Sequence, residues 1–278
     1  MTTVTATVDD QTSSRTRART RPVVSAVVTS EWTKLRSLRS TAWTLLITLL
    51  ATVAVSVALC LKYVQLYPQL SADDRLGFDA TAFSLSGLYL AQVALATLGV
   101  LVVTSEYSTG MIRSSLTAVP QRRTLLAGKV VVFACVAFVT AQVTVFTAFL
   151  AGQAILAREH IGVSLHDPDV LRAVVGAGTY LTLVGLFALG IGALLRSTAA
   201  ALSTFFAAMF AGDVLVNFLP TTWRDALINY LPTNAGTQLF TLYPAHGALS
   251  PGAGLAVLCL YPTVVLVAAF ALAGRRDP

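Results

Sequence analysis

Charge is what this chain most lacks. Asp, Glu, Lys and Arg together make up 12% of its 278 residues, about half the share of roughly 25% that a soluble domain carries. So few charges cannot cover a surface that faces water, and the mean hydropathy of +0.73 agrees. Cysteine and histidine are also scarce, at three each. Cys60, Cys135 and Cys259 each lie inside an apolar run, so they read as small apolar side chains and not as a disulfide or metal framework. Catalytic signatures are missing too. There is no G-x-x-x-x-G-K-[ST] phosphate cradle, no H-E-x-x-H and no G-x-S-x-G; Gly128-Lys129 is followed by Val130 and opens an apolar run.

What the chain has instead is long stretches without a charge. Residues 40–61, 80–105, 130–157, 173–195 and about 253–273 are five of them, and a further run from Ser197 to Leu219 is broken only by Asp213. Each is long enough for the roughly 20 residues that a helix needs to cross a bilayer. The expected fold class is therefore all-α, a polytopic membrane protein with six transmembrane helices. Six spans leave room for a tail and loops but little for a soluble catalytic domain.

Two segments flank the first span. Residues 1–22 are rich in Thr and Ser, carry Arg15, Arg17, Arg19 and Arg21, and show no apolar periodicity, which reads as a disordered basic tail. No apolar segment follows them directly, as a secretory signal would require. Residues 23–278 then read as one transmembrane domain. It opens with Val24, Val27, Val28, Glu31, Leu35 and Leu38 at helical spacing, with Lys34, Arg36 and Arg39 among the other positions. Such an amphipathic helix, with Trp32 on it, suits a membrane surface.

Orientation follows from the basic residues. With the N-terminus in the cytoplasm, the inner segments carry 14 Lys and Arg and the outer ones carry 5, namely Lys62, Arg75, Arg158, Arg172 and Arg224. Cytoplasmic segments of membrane proteins hold the excess of Lys and Arg, so both termini are expected in the cytoplasm and the location is the cell membrane. The same bias accounts for the net charge of +6 without nucleic acid.

Residues 226–252 are uncharged but do not read as a span, because Pro232, Pro244 and Pro251 interrupt them. Broken backbone at membrane depth has to be buried in protein or line a cavity, so short half-helices dipping into the outer face are expected. Asp213 is the one acid inside a span. A charge in hydrocarbon is costly and such residues face a cavity or a partner; Asn217, four residues on, or a group of the outer loop could supply it. Asp213 and Asn217 are the candidates for a translocation path. His160, His166, Asp167 and Asp169 share one loop, but at no usual metal-ligand spacing, and Ser164 lies in that charged loop, not in a span where an intramembrane protease would need it.

The most specific local pattern is the inner loop after the second span, from Thr104 to Lys129. Thr104 or Ser105 could cap a short polar helix with Glu106 in its first turn, and Pro120 would end it. Its order of Glu106, Gly110, Met111, Arg113, Leu116, Pro120, Arg123, Gly128 and Lys129 resembles the hallmark of type-2 ABC exporter permeases, which include bacterial drug, antibiotic and bacteriocin-immunity exporters. Glu31, Lys34, Leu35 and Arg39 before Trp43 resemble that family's opening segment. The likeness covers about residues 24–275.

That resemblance implies a permease subunit that pairs as a homodimer or heterodimer and recruits a cytoplasmic ABC ATPase subunit. Glu106, Gly110, Arg113, Leu116, Pro120 and Arg123 would be the coupling residues. ATP would be used by the partner, with no cofactor held by this chain and no catalysis on it, and membrane lipid would surround it. The cargo is not readable. A membrane anchor, channel or sensor subunit is the other class that the residues allow. A membrane-embedded enzyme would need two facing polar groups within spans, where only Asp213 is found.

Overall fold

The computed structural model describes residues 20–37, 39–71, 75, 78–111, 117, 121–244 and 247–274. Among them there is no β-strand. Helix α1 (Thr20–Ser37) leads into α2 (Arg39–Leu66), followed by the short α3 (Ala80–Ser84) and then α4 (Leu88–Ser108). After the inner loop come α5 (Arg122–Leu156), α6 (Val170–Leu195) and α7 (Thr198–Phe206). A π-helical turn at Ala207–Ala211, α8 (Gly212–Leu215) and a 3₁₀ turn follow α7 directly and make one span with it. The chain then makes α9 (Thr221–Leu227), α10 (Pro232–Thr237) and the closing α11 (Pro251–Ala273). Six of these segments are long and apolar enough to cross a membrane: Arg39–Gln69, Leu88–Ser108, Arg122–Glu159, Val170–Leu195, Thr198–Phe218 and Pro251–Ala273. The chain is a helical multi-pass membrane protein.

The second span is shorter than the uncharged run that announced it. Asp79 accepts hydrogen bonds from the amides of Thr81 and Ala82 at 2.9 and 3.0 Å, capping α3 as a helix of its own. The turn at Leu85–Gly87 then separates it from α4, and the Gly87 amide donates to the Ser56 hydroxyl of α2 at 3.0 Å. Counting charges cannot detect a cap and turn built from Asp, Ser and Gly. Nearer the N-terminus, α1 starts at Thr20, three residues before the expected boundary.

Helix α6 is the most enclosed element, with α4, α5 and α11 packed around it, while the outer faces of α2, α7 and α11 stay bare. Phe133, Phe149, Tyr180, Phe205 and Leu189 fill the middle of the core. Exposed apolar side chains such as Trp43, Ile47, Val139, Leu260 and Val264 stud the periphery. In water this would be an aggregation surface; in hydrocarbon it is the expected exterior.

Successive spans run in opposite directions. At one end of the bundle the Arg196 guanidinium, after α6, lies 5.2 Å over the Tyr107 ring of α4. Thr198 of α7 donates to the Thr104 hydroxyl of α4 at 2.8 Å, and the Arg123 side chain of α5 sits beside Gly274 after α11. At the opposite end Gln153 of α5 donates to the Ser84 hydroxyl of α3 at 3.0 Å, and Arg172 of α6 donates to the Leu239 carbonyl at 3.2 Å.

The half-helices expected from the broken outer stretch are present as α9, a 3₁₀ turn at Ile228–Tyr230 and α10. Pro232 opens α10, where its missing N–H costs nothing, and Pro232, Ala235 and Gly236 are buried. Gly236 lies so close to the Tyr180 ring of α6 that a Cβ there would clash. Glycine is what allows α10 to nest into the bundle.

Candidate functional site

Two polar sites stand out, one near each end of the bundle. The first is made of four charges. Glu31 comes from α1, and the amphipathic spacing that faces Val27 inward also faces Glu31 inward. Lys34 stands one turn further along the same helix. Glu106 lies in the last turn of α4 and Lys129 in the second turn of α5. Glu31, Glu106 and Lys129 are 4%, 6% and 5% exposed, while the Lys34 side chain keeps a third of its surface open.

The four form a closed ring. The Lys129 Nζ donates to Glu31 Oε2 at 2.7 Å and to Glu106 Oε1 at 2.6 Å. The Lys34 Nζ donates to Glu31 Oε1 at 2.8 Å and to the same Glu106 Oε1 at 3.1 Å. Two carboxylates face two ammonium groups, so the group is neutral as a whole, which is how charge becomes tolerable inside a protein. Burial pulls the Lys34 pKa down, but the hydrogen bonds and charges of Glu31 and Glu106 outweigh it and leave the value above that of an ordinary lysine. One acceptor is left over: Glu106 Oε2 is buried and has no hydrogen-bond partner among the described residues.

This geometry corrects the expected start of the inner loop. Thr104 and Ser105 do not cap a new helix. The helix of the second span continues through them to Ser108, and the Thr104 hydroxyl bonds back to the Val100 carbonyl at 3.0 Å. Glu106 therefore faces the protein interior, where it holds Lys129. The stop comes at Gly110, whose φ of +72° is the left-handed conformation that ends helices and that glycine adopts without penalty. Arg123 lies in the first turn of α5. Arg113, Leu116 and Pro120 lie outside the described residues.

The second site surrounds Asp213 in α8. Its carboxylate accepts from the Asn234 side-chain amide at 2.8 Å on Oδ1 and from the Thr233 hydroxyl at 2.7 Å on Oδ2. Both partners belong to α10, so the outer-loop alternative is the one realised. Asn217 instead donates to the Asp213 backbone carbonyl at 2.6 Å. The Thr233 hydroxyl also lies 2.7 Å from the Met209 carbonyl in the π-helical turn. A hydroxyl has one proton and can serve one of these acceptors at a time. With Asp213 ionised, Thr233 donates to it. With Asp213 protonated, the acid donates to Thr233, which is then free to donate to Met209.

The loop after α5 holds no comparable arrangement. The Asp167 carboxylate accepts from the Ser164 amide at 2.6 Å, and the Ser164 hydroxyl lies 3.3 Å from His166 Nδ1. These are local turn contacts, and the carboxylate does not orient the imidazole as a relay would need. No cluster of three metal-ligating side chains occurs among the described residues; His246 lies outside them.

The four members of the charge ring were all visible in the sequence, but in separate segments. Nothing in spacing alone says that residues 31, 106 and 129 meet. A partial signal did exist: Glu31 on the apolar stripe of α1 and Lys129 immediately before an uncharged run are both charges in places where burial was due. The fold and its two sites define a helical multi-pass membrane protein with charge buried near one end and a half-helix locked to an acid near the other. No family model matches the chain, and neither does any curated protein.

Proposed function

We infer that the chain is the membrane-spanning permease subunit of an ATP-driven exporter, working with a separate cytoplasmic ATPase subunit. The observation that carries this reading is the anchoring of the inner loop. Glu106 and Lys129, at the two ends of the segment that resembles the exporter hallmark, are bonded to each other and to α1. A partner pushing on residues 107–121 would act on a rigid base that joins α1, α4 and α5, so its displacement would reach the spans. Glu106 then serves coupling from inside, by fixing the loop's root, while Arg113, Leu116 and Arg123 would meet the ATPase. The Asp213 site, where a half-helix meets a broken span, is the candidate polar group of the outward path. In this reading the protein sits in the cell membrane with both termini in the cytoplasm and pairs with a second permease copy or homologue.

The test is purification of the full chain from its native membrane, followed by reconstitution into vesicles. A P-loop ATPase should co-purify, and it should hydrolyse ATP faster with the parent chain than with Arg113→Ala. If no ATPase accompanies the chain, or if Arg113→Ala stimulates hydrolysis as well as the parent, the coupling assignment fails. A membrane anchor or sensor subunit would then be the better description.

A further inference from the structure

We propose that α9 is an anchor in the outer leaflet, with its apolar side set in lipid at the boundary between headgroups and acyl chains. All seven of its residues are exposed and none is buried. A helix this short does not hold by itself in water, where isolated helices below about 12–15 residues are marginal. Nothing among the described residues covers it, so its cover comes from the surroundings. The fifth span, Thr198–Phe218, has 21 residues, or about 31 Å of helix at 1.5 Å per residue, which matches a hydrocarbon core of roughly 30 Å. Helix α9 starts just after the outer end of that span, at the level of the boundary.

The side chains fit that level. Trp223, Ala226 and Leu227 share one side of α9 by their spacing, while Thr221, Arg224 and Asp225 take the other. A helix with Trp and Leu opposite its charges lies in the interface, its apolar side about 5–10 Å deep. The apolar side continues a surface that already faces lipid: Leu215 and Phe218 of the fifth span are 64% and 82% exposed, and Trp223 is 66% exposed. Tyr230 and Tyr243 are exposed at the same end, as in the aromatic belt of a bilayer interface. Arg224 and Asp225 cancel in charge, so the anchor needs no anionic headgroup. It also leads to the Asp213 site. Ile228 follows α9 directly, and its carbonyl accepts from the Asn234 amide at 3.0 Å, the amide that also holds Asp213. The Tyr261 hydroxyl of α11 donates to the Tyr230 carbonyl at 2.9 Å. This outer segment is thus held by the leaflet at one end and by the bundle at the other, whatever the protein transports.

The experiment uses the full-length chain with Trp32→Phe and Trp43→Phe, which leave Trp223 as its one tryptophan, reconstituted into phosphatidylcholine vesicles. Trp223 fluorescence should be shifted to the blue of tryptophan in water and resist quenching by acrylamide. Phosphatidylcholine brominated high on its acyl chains should quench it more strongly than lipid brominated near the chain ends. Adding phosphatidylglycerol should change neither reading. Leu227→Asp puts a charge on the lipid side and should shift the emission to the red and abolish bromine quenching, with the melting temperature at the parent value because α9 buries nothing against the bundle. Asp225→Asn, on the polar side, should leave the fluorescence as it was. Trp223 open to acrylamide and untouched by bromine would overturn the proposal and place α9 in water. Trp223 closed to both quenchers would overturn it in favour of a second copy of the chain as the cover. Bromine quenching that survives Leu227→Asp, quenching that requires phosphatidylglycerol, or a lowered melting temperature of Leu227→Asp would each overturn it too.

Discussion

Lys129 shows how much one residue can carry when its surroundings are dry. It is the only member of the ring that touches both carboxylates from within the buried part of the site, through contacts of 2.6 and 2.7 Å. Truncating it strands two acids that have left water, and breaking a buried pair from one side costs about 3–5 kcal/mol. Lys34 makes the same two partnerships from a half-open position, where solvent can replace it and surface pairs are worth about 0–1 kcal/mol. We therefore expect Lys129→Ala to lower the melting temperature of the purified protein by many degrees or to prevent its accumulation, and Lys34→Ala to lower it by a few degrees at most. Equal losses for the two would mean that the ring does not have the buried and open sides described. The sequence named all four ring residues, yet as parts of an opening helix and an inner loop. Their meeting is a tertiary fact, created when α1 packs on α5 and reaches α4 through its ion pairs, and it turned Glu106 from an expected surface group into a buried one.

At the scale of elements, the fifth span is where the chain departs most from regularity, and Asp213 explains why the departure is stable. The π-helical turn at Ala207–Ala211 changes the backbone pairing two residues before Asp213, and π-helical turns are frequent at functional positions. The Met209 carbonyl there lies within reach of Thr233, while Thr233 and Asn234 hold the carboxylate. Span and half-helix are thus sewn together by one acid. Asn at this position keeps an acceptor for Asn234 and offers an amide to the Thr233 oxygen, reproducing the protonated form. Leu offers neither; Thr233 is left with the Met209 carbonyl and Asn234 with the Ile228 carbonyl, and the two lost bonds to the carboxylate cost about 1–3 kcal/mol. Asp213→Asn should melt close to the parent, and Asp213→Leu several degrees lower. Should Leu melt like the parent, the link between α8 and α10 contributes nothing to stability. Transport by the two variants in reconstituted vesicles separates a further role: if charge serves the moving cargo or a proton, Asn folds normally and transport falls. The half-helices were legible because three prolines rule out a span, whereas the π turn had no counterpart in the sequence, since nothing in Ala207–Ala211 forbids an ordinary helix.

For the molecule as a whole, what matters is which end faces the cytoplasm. The alternation of the spans puts the charge ring, Arg123, Arg196 and Gly274 at one end, and His166, Arg172 and the α9–α10 half-helices at the other. This division agrees with the one used to count basic residues, where 14 of the 19 Lys and Arg fall on the side of the ring. Cytoplasmic enrichment of Lys and Arg, counted near the ends of spans, is what sets orientation during insertion. Seven of those 14, from Arg15 to Arg39, lie in the tail, in α1 or just after it, and Arg122, Arg123 and Lys129 add to the bias independently. Fusing a reporter that is active only outside the cytoplasm after His166 and after Tyr243 should give activity, and fusing it after Gln121 should give none. A reporter that fluoresces only in the cytoplasm should give the reverse pattern at the same three positions. Activity of the external reporter at Gln121 would invert the protein: the charge ring and its loop would then face away from ATP, and the permease reading would fall with the orientation, while the helical fold, the ring and the Asp213 link would stand as they are.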